Sequence, residues 1–558
     1  MGEGRGEGEK ASTPLEVVPE PATLHALAVR WPVRGDANAN ATVAVEYRAA
    51  GEPAWRAGLP LFRPHPDRQS PELRVKDGWL FAGSLVDLSP DTEYDVRLAL
   101  RDPDGGDAVR QLRLRTGAEP REPAGMRARH VVPGDGGGTG EPGDPFRGLA
   151  AAEASAAPGD LFLLRAGVYA AAPWRIQRHG APGRPIIYRG AGDGPVVLDG
   201  GGGERAVNAP GARHIWLEDV TLRGARYLYV GHGGGDLVVR RVRFEMSWIG
   251  FEAINGPYAV SRGFFITDNV FAGPAAWPRA GRLQNMNAIS LTGAGHVVAW
   301  NYIRGVADGV HGTSHGRLSA SDIHDNDIEQ CTDDGIETDY ADTNVRVFRN
   351  RITNCFSAVS AQPAHGGPVY VFRNAILNTE YSPVKLHNDT AGVLLFHNTS
   401  VRAGRPFIID PGGETVSDVV TRNNLFVGTS GPALSSTGRM IRCDFDGDGF
   451  AWETGPFAQW NARMYRTPAM ARASGQLYRD HGALQVAAAR LFATGLRPPP
   501  DFRTALPREA NDLRLAPNSP AAGRGVALPN FSEGAGGRLP DLGCCPTGAP
   551  LPRYGPRH

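Results

Sequence analysis

Lysine is almost missing from this chain. Of 59 basic residues only Lys10, Lys76 and Lys385 are lysines, and from residue 77 onward Lys385 stands alone among arginines. Cysteine is scarce as well: Cys331, Cys355, Cys443, Cys544 and Cys545 make no disulfide framework. The formal net charge is zero and no basic run stands out, which excludes the electrostatic footprint of a nucleic-acid binder. No stretch reaches the roughly 18 apolar residues of a membrane-spanning helix. The N-terminus MGEGRGEGEKASTPLEV has no apolar core of the signal-peptide kind. The chain therefore reads as secreted or periplasmic with its signal removed, or as cytoplasmic. Gly and Pro are frequent, at 72 and 45, yet apolar periodicity persists throughout, so the chain is turn-rich rather than disordered.

Residues 1–14 read as a disordered start. Residues 15–117 alternate in the strand manner, from TLHALAVRWPV through ATVAVEYRAAG, WLFAGSLVDL and EYDVRLALRD to VRQLRLRTG. Short strands separated by turn signals predict a β-sandwich. Leu88, Pro90, Thr92, Tyr94 and Val96 in LSPDTEYDVRL resemble the fibronectin type III pattern. That resemblance implies a tyrosine corner at Tyr94, a core tryptophan at Trp31, and a spacing or docking role without chemistry. Residues 118–126 read as a linker.

The next segment repeats. Asn recurs at 269, 301, 326, 350, 374, 398 and 423 in DNVF, WNYI, DNDI, FRNRI, FRNAI, FHNTS and RNNLF, mostly 24 or 25 residues apart. A period near 24 is one coil of a parallel β-helix, three short strands and their turns. Such an Asn is expected to form an inward hydrogen-bonded ladder rather than a site. Cys331 and Cys355 share the spacing and are expected to stack, reduced or bonded. The Ala-rich stretch before LFLL resembles the helix that caps right-handed parallel β-helix proteins. The fold class is therefore all-β: a right-handed parallel β-helix over 127–440, closed by 441–558 and preceded by the small sandwich. DFDGDG at 444–449 is read as a polar loop, because it lacks the full ligand set of a calcium loop.

The period also gives a register. DGVHGT, DGIETD, SAVSAQ, SPVKLH and RPFIID stack coil on coil. Alternation turns Val310, Ile336, Val359, Val384 and Phe407 inward. One outer face then carries His311 and Thr313, Glu337 and Asp339, Ser360 and Gln362, Lys385 and His387, and Asp410. Asp308, Asp333 and Asp334 lie at the turn leading into it. Two His, a Lys, several carboxylates and a Gln on a few neighbouring coils mark a candidate site. Lys385, His387, His311, Glu337 and Asp339 are candidate catalytic groups. Gln362, His365, Asp410, Tyr340 and Tyr381 are candidate substrate contacts, and Trp248 and Trp277 are further aromatics able to stack on sugar rings.

CTDDGIETDY, with VADGVHG one coil earlier, resembles the calcium site of the family 9 polysaccharide lyases. The resemblance implies Ca²⁺ held by Asp308, Asp333, Asp334 and Glu337, with Lys385 as Brønsted base. Glu337 stands where that family has Asp, and Lys385 lies further along the chain than the family's base. The implied reaction is β-elimination on a uronic-acid polysaccharide. It requires a hard cation to neutralise the uronate carboxylate and a base to take the C5 proton. Arg is a poor base, which accounts for a lysine in an arginine chain. The residues leave two other readings open. A β-helix glycoside hydrolase would use two of the carboxylates, and a glycan-binding β-helix would use none. The expected partner is an anionic polysaccharide, and the chain is expected to be a monomer.

Overall fold

The computed structural model describes residues 9–171, 173–254, 260–409, 414–532 and 538–558. Near the N-terminus two antiparallel sheets enclose one small core. The first joins Thr13–Pro14, Leu27–Arg34, Val18–Pro19 and Gly78–Leu85; the second joins Arg56–Gly58, Thr42–Ala49, Glu93–Arg101 and Ala108–Arg115. Strict alternation in Glu93–Arg101 buries Tyr94, Val96, Leu98 and Leu100 on one face. They pack with Val43, Val45 and the fully buried Trp31, an arrangement compatible with a sandwich. The Tyr94 hydroxyl accepts a hydrogen bond from the Ser89 amide at 2.9 Å.

The remainder is a parallel β-helix. One 14-stranded sheet runs from Phe146–Arg147 to Asp444–Phe445, and one 17-stranded sheet from Gly167–Ala170 to Leu484–Gln485. The helix Leu149–Ser155 packs Leu149 and Ala152 against the first coils. Inside, identical side-chain types stack on neighbouring coils: Phe244 on Phe271 at 4.3 Å, and Cys331 opposite Cys355, both free thiols.

The asparagine ladder is continuous. Asn301 donates its Nδ2–H to Asn326 Oδ1 and to the Ile266 carbonyl, and each next Asn repeats the arrangement through Asn350, Asn374 and Asn398. The last rung differs from the sequence expectation: Asn398 donates to Asn424, and Asn424 to Asp448 Oδ1 at 2.8 Å. Asn423 occupies instead the left-handed position just before the rung, as Asp325, Arg349, Arg373 and His397 do on earlier coils. Asp448, in the DFDGDG loop, thus terminates the ladder. Replacing Asn350 by Ala orphans the buried amide of Asn326 and the Asn326 Nδ2 donor that points at Asn350 Oδ1. A loss of about 2–4 kcal/mol is expected, since each buried orphan costs about 1–3 kcal/mol; denaturant unfolding checks it.

Two outer faces of the coils are covered. The N-terminal sheets lie on the 14-stranded sheet, where Ala26 and Val86 pack against Phe348, Tyr370, Phe372 and Phe396. Thr23 and Ser84 also bond to the buried Asp322 and Asn344. The C-terminal segment lays Val486, Phe492, Leu513, Leu515 and Leu542 on Ala375, Leu377, Val401 and Leu425. The candidate site lies beyond the corner that follows those strands.

Candidate functional site

Four consecutive residues on each coil build the site. Asn287-Ala288-Ile289-Ser290 pairs in register with Asp308-Gly309-Val310-His311. Asp334-Gly335-Ile336-Glu337 follows, then Ser357-Ala358-Val359-Ser360 and Ser382-Pro383-Val384-Lys385. The chain turns a corner here, so the two middle residues both face the core. A Cβ on Gly335 would come within 2.9 Å of Ile352 Cγ2 and 2.7 Å of the Ala358 carbonyl, which is why a glycine follows the aspartate. The two flanking residues face outward. They form two polar columns: Asn287, Asp308, Asp334, Ser357, Ser382 and Ser290, His311, Glu337, Ser360, Lys385.

The acids converge at the middle of these columns. Ligand-type atoms of Asp308, Asp333 and Asp334 lie within 4.8 Å of one another, as do those of Asp308, His311 and Glu337. The four residues expected to hold a metal therefore form two groups sharing Asp308, and His311 belongs to the second. The Asp334 amide donates to Asp308 Oδ1 at 3.0 Å. Asp308, Asp334, Glu337 and Asp339 are buried and Asp333 half-buried. Burial first, then the neighbouring acids, pushes the carboxyls of Asp308 and Glu337 well above their usual range. The same causes place Asp333 at about 6 and Asp339 at about 8. Burial lowers His311 to about 4.

Lys385 is the one buried cation facing these acids among the described residues, and its ammonium is hydrogen-bonded to Asp334. It starts two coils away. The intervening Ser357 and Ser360 are small, so the lysine side chain reaches back across their coil. Burial works to lower its pKa, but Asp334, Asp333 and Asp339 outweigh burial and raise it. In the protein by itself Lys385 therefore keeps its proton.

Among the described residues the buried Asp334 Oδ1 and Glu337 Oε2 accept no hydrogen bond. The nearest His311 nitrogen is 3.6 Å from Glu337 Oε2, too long for one. Buried carboxylate oxygens without donors, converging with Asp308 and Asp333, fit a hard divalent cation.

The other expected residues divide. Asp339 Oδ1 accepts from Ser360 Oγ at 2.9 Å and from the Gln362 amide at 2.8 Å. His387 Nε2 bonds the Tyr381 hydroxyl at 3.0 Å. Tyr340 and His365 pair with each other, centroids 6.0 Å apart, on the turns beyond Asp339. Trp277 is buried against Phe502 and is a packing residue. Asp410 lies outside the described residues. Sequence reasoning missed Asn287, Ser290, Ser357 and Ser382 as members of the columns. The recurring pattern polar–small–aliphatic–polar in NAIS, DGVH, DGIE, SAVS and SPVK carries that signal.

No protein-family model and no curated protein matches the chain. Among solved structures it is similar to XylC in complex with xylose, at 14% identity over 59% of this chain and 84% of that one, with a TM-score of 0.46. It is also similar to the family 28 exopolygalacturonase of Yersinia enterocolitica, at 11% identity over 80% and 97% with a TM-score of 0.32. A variant of the PL6 family alginate lyase AlyGC matches at 10% identity over 55% and 51%, with a TM-score of 0.29. At these values the likeness is one of architecture and carries no reading of the chemistry.

Proposed function

We propose that this site cleaves a uronic-acid polysaccharide by cation-assisted β-elimination with Lys385 as base. The observation that carries this reading is the set of buried, donor-less carboxylate oxygens of Asp334 and Glu337 around Asp308, with a lone lysine bonded into the same cluster. Asp308, Asp333, Asp334 and Glu337 would hold Ca²⁺, which when bound neutralises the substrate carboxylate and acidifies the C5 proton. Lys385, released from Asp334 and having first given its ammonium proton to water, takes the C5 proton at Nζ as the bond to the leaving oxygen breaks. Ser357 and Ser360 keep its path open. His387, oriented by the Tyr381 hydroxyl, is placed to meet the leaving oxygen.

A second reading rests on Asp339. Its carboxyl, near 8 and tied to Ser360 and Gln362, keeps a proton at neutral pH and suits the general acid of a glycoside hydrolase. Incubation with uronate polysaccharides, with Ca²⁺ and with chelator, separates the two. Ultraviolet absorbance that rises only with the cation supports elimination. Reducing ends without absorbance would transfer the role of acid to Asp339 and reject the lysine base.

The same carboxyls make a stability prediction. Folding raises Asp333 from 3.8 to about 6 and Asp339 from 3.8 to about 8. Their contribution is complete below about pH 4 and is lost as pH rises through those two values. Without cation the melting temperature should fall between pH 5 and 9. Ca²⁺ competes with protons more strongly at pH 5 than at pH 8, so its stabilisation should grow with pH. At a hundred-fold excess over Kd it reaches about 2.7 kcal/mol. Thermal melts at both pH values check this, and an equal or smaller gain at pH 8 would count against the cation site.

A further inference from the structure

The residues just before the four-residue pattern form another column: Asp333, Phe356 and Tyr381 on successive coils. The Phe356 and Tyr381 rings are parallel within 7° and 5.4 Å apart. Arg279 comes from the loop between the strands Val270–Ala272 and Asn287–Leu291, and its guanidinium lies 5.1 Å over the Phe356 ring. The loop is pinned two residues earlier, where Trp277 packs on Phe502 and donates its Nε1–H to the Phe502 carbonyl at 3.3 Å. The positive charge of Arg279 is felt at Asp333 and works against the burial that raises it.

Arg279 is unlike the arginines of the coils. Arg346, Arg349 and Arg351 each bond an aspartate of the previous coil. Arg279, half-buried, has neither an ion-pair partner nor a hydrogen-bond acceptor among the described residues. Its flat face is taken by Phe356, and its donor edge remains. A planar fork with unpaired donors is built for bidentate contact with a carboxylate. The floor beside it also demands such a group. Carboxyl groups offer an anionic sugar no cationic partner, and the one buried cation facing them among the described residues, Lys385, is already bonded to Asp334.

We propose that Arg279 is the specificity-determining residue of the site: stacked on Phe356, it binds the carboxylate of a uronosyl unit beside the acid cluster. The proposal rests on the reading of the acid cluster as a uronate site and names the group that recognises the uronate. The test uses trimers of galacturonate and of alginate, each as free acid and as methyl ester. Binding is titrated calorimetrically with Ca²⁺ present, in the Lys385→Arg background so that nothing is consumed. Arg279→Ala should weaken the acid form about 10–100-fold and the ester less than about 3-fold, with Arg279→Lys in between. Equal weakening of acid and ester, no weakening, or no binding of either acid by the parent would overturn the proposal. If the acids bind through Arg279 but the wild type yields no unsaturated product, the elimination reading fails and Arg279 keeps its role.

Discussion

Lys385→Arg should lower turnover on the uronate substrate by about 10²–10⁴-fold, the usual contribution of a positioned base. Arg keeps the positive charge beside Asp334, so the ion pair that supports the fold at this point survives. What Arg lacks is a proton it can release near neutral pH. The wild type should also show its dependence on that proton. Asp334, Asp333 and Asp339 hold the Lys385 pKa up against burial. Its neutral fraction therefore rises about tenfold per pH unit on the acid side of that value. kcat/KM should climb with a slope near one between pH 7 and 9, and the Arg variant should lose that slope. Stopped assays by ultraviolet absorbance, with circular dichroism to verify folding, measure both. A Lys385→Arg enzyme with more than about a third of wild-type kcat would remove the lysine from the chemistry. A flat pH profile in the wild type would say that another group takes the proton.

The second large effect concerns Asp308. It belongs to both groups of converging ligand atoms, Asp308/Asp333/Asp334 and Asp308/His311/Glu337. Asp308→Asn removes one negative charge and one anionic oxygen while keeping shape and the acceptor for the Asp334 amide. Cation affinity should fall about 100-fold or more, and activity at fixed Ca²⁺ should fall with it. The fold should gain rather than lose stability in chelator, because a buried carboxyl pushed well above its usual range is costly once it ionises. Ca²⁺ titration by calorimetry, paired with melts in chelator, tests the two signs together. Undiminished affinity would place the ion elsewhere.

Much of this was readable from the chain, for a physical reason. A coil that must close on itself repeats its hydrogen-bond needs every turn, so Asn301, Asn326 and Asn350 show the period directly. Once that period is known, strand alternation places Glu337, Ser360 and Lys385 in one line, and the observed pairing has that register. The last rung was misread because Asn423 and Asn424 are adjacent and only geometry tells the left-handed residue from the ladder residue. The pairing of Lys385 with Asp334 was out of reach because it depends on the length of a side chain crossing two serines. Arg279 was hidden for a different reason: its loop has no period, and nothing in the sequence ties residue 279 to residue 356.

The coil stack also sets how such a site can change. Lys385 and the acids stand on a common scaffold whose only step is one turn of the helix, about 4.8 Å. The separation of base and acids is therefore counted in whole turns and absorbed by one flexible side chain. A single duplicated turn between Glu337 and Lys385 would leave core, ladder and caps intact yet carry the ammonium beyond Asp334. Descent with modification in such a protein proceeds by integers, and chemistry can be switched off, or moved to a neighbouring row, with little loss of architecture.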